Sequence, residues 1–163
     1  MHSPPTWRLG PPFIYISSNE RDLIVSAEYG NEGFEVRKMR GPRCRTIIEL
    51  MHEFGAALQF FDGFGNNGNA LRECLIYLDE WMPAKGYVLV FTDAEQVLAD
   101  EIEDRDWLLD VLVGAGQWWS EAVTGQRRFD RPPVPFKAVF ECSPGDRSWV
   151  EVCEEAGCGF DYL

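Results

Sequence analysis

The sequence predicts an α/β fold, a small mostly parallel sheet packed by helices, and three observations carry that expectation. An apolar stripe at helical spacing begins near Thr46, Tyr87 to Phe91 form a near-continuous apolar run, and helical spacing returns from Leu108 to about Ala122. A run that is apolar at every position suits a strand covered on both faces, as in a parallel sheet. The order helix, strand, helix fits the crossover connections that parallel strands require.

The chain has 163 residues, enough for one ordinary domain and too few for two of usual size. It is read as a single domain over 1–163, with a core at about 34–142 and extensions at 1–33 and 143–163. A composition 45% apolar and 13% aromatic supplies a real core and argues against a disordered chain.

Taken in order, Phe13–Ser17 and Leu23–Tyr29 are short β-prone runs separated by turn-like residues, which reads as an added hairpin at one edge. Phe34–Met39 alternate as another strand, ended by Gly41-Pro42. Thr46 suits the N-cap of a helix in which Ile47, Met51, Phe54, Leu58 and Phe61 recur at steps of four and three. Gly63 to Gly68 then turn the chain sharply. A second helix runs from near Asn67 to about Trp81, burying Leu71, Cys74, Leu75 and Leu78, with Pro83 and Gly86 marking its end.

After the Tyr87–Phe91 strand, Leu108, Val111, Leu112, Ala115 and Trp119 form a further helix face. Trp107, Trp118 and Trp119 are expected to close the core against the C-terminal segment. Residues 124–135 read as a loop and Phe136–Cys142 as a strand. Pro144-Gly145 has the order of a type II turn, from which Ser148–Cys153 pair back as a hairpin strand.

Charge bounds the partners. Twenty-seven acidic against fifteen basic residues give a net charge of −12, which repels phosphate backbones and anionic lipid and attracts basic proteins. Direct nucleic-acid binding is therefore not expected, whereas a basic protein that itself binds nucleic acid is a suitable partner. Eight of the carboxylates lie between Asp93 and Asp110, where they either cap and solvate a helix start or form a binding surface. No apolar run of membrane-spanning length and no secretion signal is present, so a cytoplasmic protein without membrane attachment is expected. The five cysteines are read mostly as reduced thiols, although Cys153 and Cys158 could pair or assist a metal. With neither CxxC nor HExxH, and only two histidines, no metal or cofactor is expected.

Gly63-Phe64-Gly65-Asn66-Asn67-Gly68 matches the letters of a dinucleotide fingerprint, but that fingerprint follows a strand, and the residues before it have helical period. The loop reads instead as an interhelical turn capped by an Asn side chain, or as a rigid polar edge offered to a partner. Asn69 and Glu73 share a helical face, with Arg72 adjacent. Glu73, Asp79 and Asp93 show no tuned acid–base pairing, and Cys74 has core spacing, so the chain is not read as an enzyme.

The run Gly65-Asn66-Asn67-Gly68-Asn69-Ala70-Leu71-Arg72-Glu73-Cys74-Leu75, with the preceding Leu50–Phe54 helix and the later Tyr87–Phe91 strand, resembles the barstar family of ribonuclease inhibitors from about Phe34 to Cys142. That resemblance implies a small parallel sheet packed by helices and a loop–helix edge that plugs the basic cleft of a ribonuclease. It implies a partner-binding edge formed by Phe64, Gly65, Asn66, Asn67, Gly68, Asn69, Arg72 and Glu73. Asn67 would fix the loop, and Glu73 would be the acid entering the ribonuclease site. The chain departs from the family pattern at Asn69, where an acid is usual, and at Arg72 and Gly63, where the family offers aromatics. Asp104, Asp106 and Asp110 are candidate replacements for the family's later acidic contacts.

The function implied is a stoichiometric inhibitor of immunity or antitoxin type, acting on a basic ribonuclease or nuclease toxin domain. The alternative is a barstar-like binding or regulatory module that does not inhibit a ribonuclease.

Overall fold

The computed structural model describes residues 7–18, 33–61 and 65–163. Strands β1 (Ile14–Ser18), β2 (Phe34–Arg40), β3 (Gly86–Thr92), β4 (Phe136–Cys142) and β5 (Phe160–Tyr162) form one sheet in the order β2-β3-β4-β1-β5. Every neighbouring pair is parallel. Helices α1 (Ile47–Ala57), α2 (Gly68–Ile76), α3 (Arg105–Trp119) and α4 (Ser148–Ala156) complete the α/β fold that the sequence predicts.

Alternation along the strands sorts the core into two sides. Ile14, Leu89, Phe91, Ala138 and Phe140 pack with the helices through Leu50, Phe54, Leu75, Leu112 and Trp149. Tyr15, Val88, Val90 and Val139 form a second cluster with Trp7, against which Leu163 packs. Both faces of the central strands are therefore covered, which is why β3 carries a nearly unbroken apolar run and β4 is buried along its whole length.

Helix α1 starts where expected: the Thr46 hydroxyl accepts the Glu49 amide at 3.2 Å, and Leu50, Met51, Phe54 and Leu58 are fully buried. The helix ends at Ala57, so Phe61 leaves the stripe and is 63% exposed. Midway along α1, the buried Glu53 accepts the Arg40 amide, Nε and Nη2, each at 2.8 Å. Those hydrogen bonds hold its carboxyl below the usual carboxylate range. Helix α2 is shorter than the pattern suggests, giving way after Ile76 to a 3₁₀ turn at Leu78–Glu80.

The two extensions each add a strand to the sheet. Strand β1 lies inside the sheet, with Ile14 registered against both Ala138 of β4 and Phe160 of β5. Ile14, Tyr15 and Ile16 are buried in succession, and such a segment needs neighbours on both faces. The second run of the expected hairpin, Leu23–Tyr29, falls outside the described residues. Phe13, just before β1, lies so close over Gly116 of α3 that a β-carbon there would overlap its ring.

At the other end, Ser148–Cys153 form helix rather than strand. Trp149, Val150 and Cys153 are the buried positions of α4, a helical i, i+1, i+4 set within a stretch whose aromatic and β-branched residues favour a strand. Asp146 Oδ1 receives the Ser148 amide at 3.0 Å and hydroxyl at 2.6 Å before the first turn. Gly157, at φ +67°, closes the helix: its amide reaches the Glu154 carbonyl at 3.2 Å and the Cys158 amide reaches that of Cys153 at 2.8 Å. This paired closure is a Schellman motif, for which glycine is the favoured residue. The preceding Pro144-Gly145 turn does form, with Gly145 at φ +84° and the Asp146 amide on the Ser143 carbonyl at 3.0 Å.

Lys137 fastens the N-terminal segment to β4. It is fully buried and donates to the carbonyls of Gly10 at 2.7 Å and Pro12 at 2.6 Å. Burial, with Arg8 second, pushes its pKa down to about 8 from 10.5. The unfolded chain therefore binds more protons than the folded one between those values, and the cost of burying the charge is relieved as pH rises. We expect wild type to gain stability relative to Lys137→Met between pH 7 and pH 9 in urea titrations. Above pH 9 the buried thiols Cys44 and Cys142, both pushed up to about 12 by burial, act in the opposite sense. An identical difference between the two proteins at both pH values would show that the ammonium pays no burial cost.

Candidate functional site

The turn before α2 is built by its own polar side chains. Asn66 adopts a left-handed conformation at φ +49°, which asparagine tolerates better than most residues. Asn67 is the N-cap: its Oδ1 accepts the Ala70 amide at 2.9 Å, while its Nδ2 donates to the Gly65 carbonyl at 3.1 Å. One side chain thus fixes both the turn and the first turn of the helix. Asn67→Ala is expected to lower stability by about 1 kcal/mol, read from equilibrium urea unfolding; no change would mean that the cap is not formed in solution.

Gly65, Asn66, Asn67 and Asn69 are exposed and Gly68 is half-buried under the indole of Trp107 from α3. Phe64 lies outside the described residues. Arg72 and Glu73 are both exposed on α2 but diverge. The Arg72 guanidinium extends toward Gly114 of α3, about 4.0 Å from where a β-carbon would stand there. Glu73 instead lines a groove with Phe61, Tyr77, Glu80 and Trp81. The structure therefore brings Asn67, Asn69 and Glu73 onto one edge and sends Arg72 to its α3 side.

The acidic residues of α3 lie elsewhere. Asp106 lines a groove with Val152 and Glu155 of α4, and Asp110 lines one with Pro11, Pro12 and Cys158. Asp106 and Asp110 therefore stand apart from the groove that Glu73 lines, and both contribute to the long-range field. Glu80 is the acid that stands with Glu73, and it was not selected from sequence. Its signal was the spacing of seven from Glu73, two helical turns, obscured by the change to a 3₁₀ turn.

The tryptophans divide differently from the expectation. Trp119 is buried, donates Nε1 to the Leu75 carbonyl at 2.9 Å, and receives the Arg131 guanidinium 4.0 Å from its ring centroid. Trp118 remains 39% exposed. The residue that joins the C-terminal segment to the core is Trp149, stacked on Phe140 at 4.2 Å.

Among the described residues, Glu95, Cys142 and Asp146 are close enough to share a metal, with ligand atoms within 4.8 Å. Their chemistry is already used. The Ser143 hydroxyl donates to Glu95 at 2.6 Å, Ser148 donates twice to Asp146, and burial holds Cys142 as a neutral thiol. All five cysteines are free. Among the described residues no helix is long and apolar enough to cross a membrane.

No curated protein and no solved structure matched the chain. The family model described as Barstar (barnase inhibitor) matches residues 34–141, two-thirds of the sequence. That span runs from the first residue of β2 to the penultimate residue of β4 and contains α1, α2 and α3, including the Asn67-capped turn and Glu73. The chain belongs to the barstar family, whose described role is inhibition rather than catalysis.

Proposed function

We propose that this protein is a stoichiometric inhibitor of immunity or antitoxin type, which blocks the basic active site of a ribonuclease-like toxin with its loop–helix edge. The observation that carries this reading is Glu73, an exposed carboxylate on a helix whose first turn is held by Asn67. A carboxylate on an anchored helix can take the place of substrate phosphate among catalytic Arg, Lys and His groups, and the anchored backbone loses little entropy on binding. Phe64 and the exposed Gly65–Asn69 backbone and amides would surround that contact. The charge of −12 supports fast encounter with a basic enzyme and disfavours direct contact with nucleic acid. Five free thiols support a reducing, cytoplasmic setting.

Arg72 favours a second reading, a binding module of the same fold without ribonuclease inhibition, because its charge offsets that of Glu73 on the same helix. One experiment separates the two. The purified chain is titrated into barnase and other basic ribonuclease domains of that type while cleavage of a fluorogenic RNA is followed. The inhibitor reading expects activity to fall linearly to a one-to-one endpoint with at least one of them. Undiminished cleavage at tenfold excess across the set would leave the binding module.

A further inference from the structure

Behind Glu73 the surface holds a groove of about 590 Å³ whose lining includes Phe61, Tyr77 and Trp81 together with the carboxylates of Glu73 and Glu80. Its aromatic walls are held in place or open to solvent. The Trp81 indole donates to the Leu58 carbonyl at 2.9 Å and meets Phe60 edge-on at 6.0 Å, whereas Tyr77 is 37% and Phe61 63% exposed. Among the described residues no cationic side chain lines this groove. The ion pairs among the described residues are Arg37–Glu35, Arg40–Glu53, Arg45–Asp100 and Arg147–Glu154, none of which involves Glu73 or Glu80.

The neighbouring groove already contains an arginine, whose guanidinium donates to the carbonyls of Trp118, Glu121 and Pro132. It shares Tyr77 and Glu80, adds Asp79, Trp118 and Phe129, and has Arg131 in its wall. The Arg131 guanidinium lies 4.0 Å from the Trp119 ring centroid and 5.7 Å from that of Trp118, and it feels the charge of Asp79. Among the described residues, an arginine thus lies in the wall of one aromatic and acidic groove and no cation lines the adjoining one.

We propose that the groove between Glu73 and Glu80 receives an arginine side chain from a basic protein partner. The planar guanidinium can stack on an aromatic face while its edge donates to carboxylates, a combination that the ammonium of lysine matches less well. The inference rests on the inhibitor reading in taking a basic protein as the partner. It adds that Glu73 acts with Glu80, and that part of the contact is aromatic stacking beside the capped turn. Charge complementarity selects this occupant, since two unpaired carboxylates in a chain of net charge −12 oppose an acidic or purely apolar one.

The probe is the peptide acetyl-Gly-Arg-Gly-Arg-Gly-amide, titrated into the ¹⁵N-labelled full chain at low ionic strength. Shifts are expected at the amides of Glu73, Tyr77 and Glu80 and at the Trp81 indole N–H. The apparent Kd should rise at least about fivefold in Glu80→Gln and in Tyr77→Ala. A peptide with citrulline in place of arginine should not bind. Shifts spread over the acidic stretch from Asp93 to Asp110, with Glu80→Gln binding as wild type, would overturn the proposal. In the ribonuclease titration, tight inhibition unchanged by Glu80→Gln and Tyr77→Ala would overturn it while leaving the inhibitor reading intact. Peptide binding at the groove, lost in Glu80→Gln, in a chain that inhibits no ribonuclease would uphold it and remove the inhibitor reading alone.

Discussion

Trp149→Ala is expected to lower the unfolding free energy by about 3–5 kcal/mol, against a total of about 5–15 kcal/mol for an ordinary domain. The indole is fully buried, stacks on Phe140, and donates Nε1 to the Ala94 carbonyl at 2.6 Å. Its ring also faces the Arg105 guanidinium, 5.2 Å from the centroid. Alanine would leave a cavity, an unpaired carbonyl and a buried guanidinium without its aromatic neighbour, and these costs fall together. Trp118→Ala, at a half-exposed position, serves as the control and should change stability by less than about 1 kcal/mol. Equilibrium urea unfolding of the three proteins decides the matter. Equal midpoints for wild type and Trp149→Ala would mean that α4 is not integral to the core. The family match ends at residue 141, so the matched segment alone lacks this tryptophan and should not reach the stability of the whole chain.

Glu73→Ala is expected to weaken inhibition by about 2 kcal/mol or more, roughly thirtyfold in Kd. The effect should lie mainly in the dissociation rate, because a carboxylate enclosed among cations is lost from the complex, while the field that steers encounter is spread over the whole acidic chain. Asp106→Asn supplies the comparison: it lowers the net charge by the same amount but lies against α4, so it should alter association and its salt dependence with little change in release. The measurement is stopped-flow association and competition dissociation with whichever ribonuclease domain the chain inhibits. A Glu73→Ala protein with unchanged dissociation would remove this residue from the contact.

Much of the scaffold was readable because its signals are local. Thr46 is both a suitable cap and the start of a periodic stripe, Tyr87–Phe91 is apolar throughout, and Asn67 precedes a helix whose buried positions are regularly spaced. The extensions were harder. Ser148–Cys153 carry β-branched Val150 and Val152 beside Trp149, so local propensity favours a strand. The decisive information was Gly157, a helix-stopping residue at the correct distance. Strand β1 was legible as a strand, but its place between β4 and β5 depends on partners far along the chain. For the candidate site, the turn and Glu73 were visible as spacing. Glu80 and the aromatic groove were not, because Phe61 and Tyr77 meet around Glu73 only when the α1 and α2 ends are packed.

The placement of β1 also governs when the molecule can be completed during synthesis. Ile14 leaves the ribosome long before its sheet neighbours Ala138 and Phe160, which lie far along the chain. Closing so wide a loop delays assembly, and parallel pairing of distant segments is intrinsically slow. The apolar Phe13–Ile16 segment therefore waits without its native cover while the intervening chain is made, a period in which it is prone to aggregate and in which a chaperone would have the most to protect.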